Sequence, residues 1–244
     1  MKKMQDIPHT IRIKVITNVV LGVLLLSLGA LSLAPIEESV SAQTEGQTIY
    51  RCAEKEPQGV SLMFNVYWGT EEVYRILDIL DKYDSKATFF IGGCWADDNV
   101  DCLRDIYIKG HEIGNHGYFH KAHDKLDLLA NQKEIADCNR FIDLAIGYTP
   151  TLFAPPSGAY SADTLQAASA LDMTTILWSK DTVDWRDKNA ATIYSRATKN
   201  VKLGDFILMH PMKETADALE DILKYYEKNH LKAVTVSNNL QEKG

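Results

Sequence analysis

The chain has 244 residues, 45% of them hydrophobic and 24% charged, with a net charge of -7 and a pI near 5.5. Those proportions suit a globular chain with a substantial core. The acidic balance excludes a nucleic-acid binder, whose phosphates demand clustered Lys and Arg, and gives no reason for adsorption on anionic lipid.

Lys2, Lys3, Arg12 and Lys14 precede an apolar run from Val15 to Ala34. A basic head before an apolar stretch is how secretory signals and membrane anchors begin, and the run is about long enough to span a bilayer. Val40-Ser41-Ala42 offers small residues at the spacing of a signal-peptidase site. Residues 1–42 are therefore expected to be a cleaved signal or a retained anchor, the membrane's only contact. The domain is then exported, either secreted or held on the outer face. Residues 43–58 are polar and aperiodic and read as a linker.

Short β-rich runs then alternate with amphipathic segments. Residues 60–66 (VSLMFNV) predict a strand, and 71–83 place Val73, Ile76, Leu77, Leu80 and Tyr83 on one helical face. Further strands are predicted over 86–91, 111–115, 151–154, 174–179, 205–209 and 232–236. Helices are predicted over 100–109, 125–146, 161–171, 190–200 and 214–229. Strands alternating with helices predict a parallel sheet with right-handed crossovers. About seven strands in this length point to an α/β fold, a distorted (β/α) barrel, with an open doubly wound sheet as the alternative. The domain reads as 59–238, with 239–244 a tail. A GxGxxG turn and a Walker loop are both missing, which argues against a nucleotide. Cys52, Cys94, Cys102 and Cys138 allow three full disulfide pairings. Cys94 and Cys102 are close enough in the chain for one bridge, and free thiols fit equally well.

The unusual polar residues sit where the predicted strands end, the functional face of a β/α barrel. Asn65, His116, His120, Pro155-Pro156, Asp181, Asp184 and His210 would converge on one mouth. His116 and His120 have HxxxH spacing, which on one helical turn points both imidazoles the same way and suits a divalent metal. His111 and His123 flank the pair and read as surface or structural. Tyr67, Trp68, Tyr118, Tyr160, Trp178 and Trp185 surround these motifs. Sugar rings stack on such groups, and Trp68 and Tyr160 are expected to be exposed.

The segments KATFFIGG, GHEIGNHGYFH, LFAPPSGAY, WSKDTVDW and ILMH, in that order from about Val60 to Val236, resemble the polysaccharide deacetylase family (NodB homology, carbohydrate esterase family four). IYR and VSLMFNVYWG are similar to a subgroup from spore-forming bacteria. The resemblance implies a NodB-type distorted barrel and metal-dependent removal of N-acetyl groups from peptidoglycan or chitin-like polymers. The implied cofactor is a divalent ion, zinc foremost, the partner an N-acetylated glycan polymer, and the protein a monomer.

Carried over, His116 and His120 are metal ligands, His210 the general acid and Asp181 the carboxylate orienting it. Asp184, Trp68, Tyr160 and Trp185 shape the substrate site. The first motif departs from the family's TFDDG: Asn65 takes the position of the base and Val66 that of a third ligand. The arginine that pairs with the base is Ala154. Asparagine takes no proton near neutral pH, and valine binds no metal. Losing both partners together avoids an uncompensated buried guanidinium. Glu71, Glu72 or water is a candidate for the missing ligand. The sequence alone thus favours a weakened metal-dependent hydrolase, with a non-catalytic glycan binder as the alternative.

Overall fold

The computed structural model describes residues 49–240. Residues 1–48, which include the whole predicted export segment, and 241–244 lie outside the described residues. Among the described residues no helix is long and apolar enough to cross a membrane. The strands are Ile49–Tyr50 (β1), Val60–Val66 (β2), Thr88–Ile91 (β3), Glu112–Asn115 (β4), Leu152–Phe153 (β5), Thr174–Ile176 (β6), Lys180–Asp181 (β7), Phe206–Met209 (β8) and Ala233–Val234 (β9). The helices are Thr70–Lys82 (α1), Gly93–Asp98 (α2), Val100–Ile108 (α3), Leu128–Ile146 (α4), Ala162–Ala170 (α5), Asp184–Asp187 (α6), Ala190–Thr198 (α7), Lys213–Lys228 (α8) and Val236–Leu240 (α9).

β2 is the central strand. All seven residues are buried, and it pairs in parallel with β3, β8 and β9. Its side chains alternate between two layers. Val60, Leu62, Phe64 and Val66 join the outer layer, with Val73, Ile76 and Leu80 of α1, Ile106 of α3 and Leu219 of α8. Met63 joins the inner one, with Phe90, Ala154, Ile176 and Phe206. The helices thus cover the outside of the sheet, while a second, smaller apolar cluster fills its inside.

The strand order β1-β6-β5-β4-β3-β2-β8-β7 is parallel throughout and curls on itself. The single strand predicted over 174–179 explains the closure. β6 pairs with β5, the chain runs on through Leu177–Ser179, and β7 pairs with β8. One bent segment therefore spans the two ends of the sheet and gives the distorted barrel, in place of the open doubly wound alternative. β1 falls in the stretch read as a linker. It pairs with β6, and Cys52 bridges to Asp205 next to β8, so it patches the seam where the bent segment changes partners. Two residues of strand give too short a pattern to read from sequence.

Other boundaries shift for local reasons. The helix predicted from 125 begins at Leu128, because the Asp127 carboxylate caps it by accepting from the Ala130 N–H at 2.8 Å. α2 and α6 are too short to carry an amphipathic repeat and were not expected. The four cysteines are free thiols. Cys94 and Cys102 are thus not bridged to each other, and Cys138 donates to the Ile91 carbonyl at 3.3 Å.

The first two residues of the predicted tail, Asn239 and Leu240, end α9. Buried Asn239 accepts from the N–H groups of Gln58 and Gly59 and donates to the Gly59 carbonyl and the Ser61 hydroxyl. It ties the last helix to the entry of β2. Asn239→Ala leaves those buried groups unpaired and is expected to cost about 2–3 kcal/mol. Urea denaturation measures it, and a loss below ~0.5 kcal/mol would contradict this role.

Candidate functional site

The C-terminal ends of β2, β4, β5, β7 and β8 surround a cavity of about 300 Å³. Asn65, His116, His120, Asp181 and His210 line it, with Trp68 and Trp185 at its rim. Ser157, Trp178 and Leu208 complete the wall; Trp178 is one of the aromatics expected around the motifs, while the sequence did not single out Ser157 and Leu208. Trp68 is 40% and Trp185 50% exposed. Tyr160, expected to be exposed, is half-buried and is not one of the residues that line this cavity.

His116 and His120 do converge, with ring centroids 5.1 Å apart, although not on a helical turn. They lie on a loop after β4 that reverses at Gly117, whose φ of +74° is left-handed. A Cβ at Gly117 would come 2.9 Å from His123 Nε2, so a side chain there is excluded by space as well. Side chains missed in the sequence fix this loop. Asn115 Oδ1 accepts from the Gly117 N–H, and buried Glu134 accepts from the Phe119 N–H and pairs with Lys121. Behind it, His123 donates from Nδ1 to Asn131 at 2.6 Å, the Asn131 amide nitrogen being committed to backbone carbonyls. His111 and His123 are both buried and structural.

His116 is 1% exposed, and its Nδ1 lies 2.7 Å from the Ala154 carbonyl. A carbonyl only accepts, so Nδ1 carries the hydrogen and Nε2 keeps its lone pair. Burial, then the neighbouring His120, pushes His116 well below its ordinary pKa. Burial lowers His120 too. Neutral imidazoles so held are suited to a metal. The set is nevertheless short by one. Among the described residues, no third His, Cys, Asp or Glu stands with these two in a group that could hold an ion. Glu71 is exposed on α1, and Glu72 is bound to Arg75 at 2.6 Å, so neither supplies the ligand. Val66 faces the outer apolar layer, opposite to the cavity. A catalytic zinc site takes three protein ligands. The residues present do not fit that ion as a catalytic centre.

The carboxylate that orients His210 is Asp184, not Asp181. Asp184 Oδ1 accepts from His210 Nδ1 at 2.8 Å and from the Trp185 N–H, and Oδ2 accepts from the His210 N–H and the Thr215 hydroxyl. It is fully buried and lies behind the cavity wall, so its expected part in binding substrate is corrected as well. Asp181 lines the cavity instead and accepts from the Val183 N–H at 2.7 Å. That bond braces a turn in which Val183 takes a φ of +51°, an unfavourable conformation for a β-branched residue. The turn delivers Asp184 to the end of β8. Sequence spacing does not resolve which of two carboxylates three residues apart meets the histidine; the left-handed turn decides it. Trp68 stacks on His210, centroids 5.6 Å apart and planes within 5°. Gly69, at φ +79°, allows the loop to reach that position, since a Cβ there would strike the Pro211 carbonyl at 2.3 Å.

Asn65 closes the inner end of the cavity. It is 3% exposed, and its Oδ1 is buried without a hydrogen-bond partner. The Ala154 side chain lies in the inner apolar cluster beside Met63 and Phe206. The cavity floor therefore holds neither a carboxylate nor a guanidinium.

Residues 53–176 match the family model described as polysaccharide deacetylase. The chain is 34% identical over 196 residues to the uncharacterised protein YlxY of Bacillus subtilis, covering 80% of this chain and 61% of that one. It is 35% identical over 164 residues to the peptidoglycan-N-acetylmuramic acid deacetylase PdaC of the same organism, covering 67% of this chain and 34% of the other. It thus spans less than two thirds of the length of either relative. Among solved structures it resembles a pseudoenzyme of carbohydrate esterase family four from Bacillus anthracis. The TM-score is 0.78 at 31% identity, covering 81% of this chain and 70% of that chain.

Two predictions test this geometry. Asp184→Asn offers one acceptor oxygen where four donors converge and is expected to cost about 2–4 kcal/mol, while Asp181→Asn costs under ~1 kcal/mol. Thermal denaturation of both variants checks the difference; equal costs would contradict the assignment. Burial also holds His111, His116, His120 and His123 below the ordinary 6.5, His111 down to about 4. The unfolded chain then binds protons that the folded chain does not. Stability is therefore full above about pH 6.5 and falls as the pH drops towards 4. Urea midpoints at pH 7.5 and 5 measure this, and an unchanged midpoint would contradict it.

Proposed function

Because the chain belongs to the polysaccharide deacetylase family, we propose that its cavity binds an N-acetylated cell-wall glycan without turning it over at an enzyme's rate. The observation that carries this reading is the donor set. Asn65 stands at the position of the base, and among the described residues no third ligand joins His116 and His120. General acid–base catalysis typically contributes about 10²–10⁴-fold, and an amide supplies none of it. The likeness to a pseudoenzyme of the same esterase family supports the reading.

The polymer's place supports a domain outside the cell. The basic head and apolar run of residues 2–34 support export, by secretion or on a membrane anchor. Trp68 and Trp185 are suited to stack on sugar faces, as rigid aromatic groups at the rim of a small cavity. The chain acts as a monomer in this account.

One observation favours a second reading, slow hydrolysis. His210 and Asp184 retain the geometry of an oriented histidine, with Nδ1 held by the carboxylate and Nε2 left free for a proton. Acetate release from N-acetylglucosamine oligomers separates the two. Wild type and His210→Ala are expected to match the buffer background while wild type still binds the oligomers. Release by wild type that His210→Ala lacks would replace the binder with a slow enzyme.

A further inference from the structure

Away from the cavity, the described residues form a groove of about 560 Å³ on the outside of the barrel, between α7 and α8. Tyr194 of α7 and Tyr225 of α8 meet in it edge to face, centroids 6.2 Å apart, among three alanines. Tyrosine is enriched where two proteins meet. Asp217, Asp221, Lys224 and Lys228 line the α8 side, on one stripe of the helix. Their order along α8 is acidic, acidic, basic, basic. Turned end for end, that order is its own complement. Asp217 and Lys228 are centred on the point midway between Ile222 and Leu223, and Asp221 and Lys224 are centred on the same point. In an antiparallel pair of α8 helices with its twofold axis there, each Asp217 meets the other copy's Lys228, and each Asp221 the other copy's Lys224. All four groove-lining charges then face the opposite sign. Parallel helices would set each against its own.

We propose that this groove is where a second copy of the chain docks, α8 against α8, antiparallel. A twofold contact of this kind needs one self-complementary patch on each copy. The tyrosines and alanines supply apolar area, and the charges set orientation and register. The ion pairs that these groups make within one chain are at the surface, where such pairs are weak enough to exchange: Asp217 with Arg75 and Lys213, Lys224 with Glu220 and Asp221. At 1.5 Å per residue α8 is about 24 Å long, so the pair buries on the order of 1,000 Å² in all, the size of a weak and reversible interface. α8 begins just past His210, at the cavity end of the barrel, so the antiparallel pair opens its two cavities at opposite ends. Each copy keeps a complete cavity, and the glycan reading neither requires the pair nor is changed by it.

Charge reversal tests the pairing. Asp221→Lys makes the middle of the stripe basic in both copies, and Lys224→Asp makes it acidic. Both positions are exposed, so each variant is expected to melt with wild type. Neither variant alone has an opposite pair at that point, whereas a mixture of the two restores both. The full chain in density-matched detergent is followed by sedimentation equilibrium from about 1 µM to about 1 mM. Wild type is expected to form a dimer, each variant alone to pair at least ~10-fold more weakly, and the equimolar mixture to pair within about threefold of wild type. Wild type that stays monomeric over the whole range overturns the proposal. So do variants that pair as tightly as wild type, which would put the contact on another face. A mixture no tighter than its components overturns it as well, because the antiparallel register demands the rescue.

Discussion

Side chains alternate along a strand, and at the end of β2 that rule sends Asn65 into the cavity and Val66 into the helical layer. Much of the site's chemistry follows from that division. Val66 lies in the outer cluster with Phe64, Ile91 and the α1 leucines, and a valine offers no ligand atom. Position 65 faces the cavity and holds a neutral amide, which leaves Asp181 as the carboxylate in its lining.

The residue at 154 agrees with that uncharged floor. A guanidinium at 154 would sit in the inner apolar cluster with Met63, Phe90 and Phe206, where a lone cation costs several kcal/mol. Alanine costs nothing and leaves its carbonyl to hold His116. The opposite wall keeps its polar pair intact. Asp184 accepts four hydrogen bonds and fastens α6, β8 and α8 together through Trp185, His210 and Thr215. That carboxylate is a structural joint as well as the orienter of His210, which gives it a reason to persist whether or not the histidine moves protons.

Much of the fold was legible because it depends on repeated patterns. Val60–Val66 and the one-sided face of α1 are long enough for periodicity to speak, and the family motifs marked the right strand ends. What escaped was set by single contacts. β1 is two residues long and exists because the bent β6–β7 segment leaves a seam to patch. The Asp181–Asp184 exchange turns on one left-handed residue, Val183. The HxxxH spacing found a true pair but for the wrong geometric reason, since Gly117 and Glu134, not a helical turn, bring the rings together. Tyr160 was placed by its motif's company, which carries no information on where a side chain points.

The central claim is that this cavity is a recognition site whose two histidines, among the described residues, lack a third ligand. Zinc content measures that most directly. The purified full chain is loaded with one equivalent of zinc, dialysed against a dilute chelator and assayed by elemental analysis beside His116→Ala/His120→Ala. The account predicts that wild type retains no more zinc than the double variant. One tightly held equivalent in wild type, lost when both histidines are removed, would mean that the protein completes a metal centre, and would contradict the account.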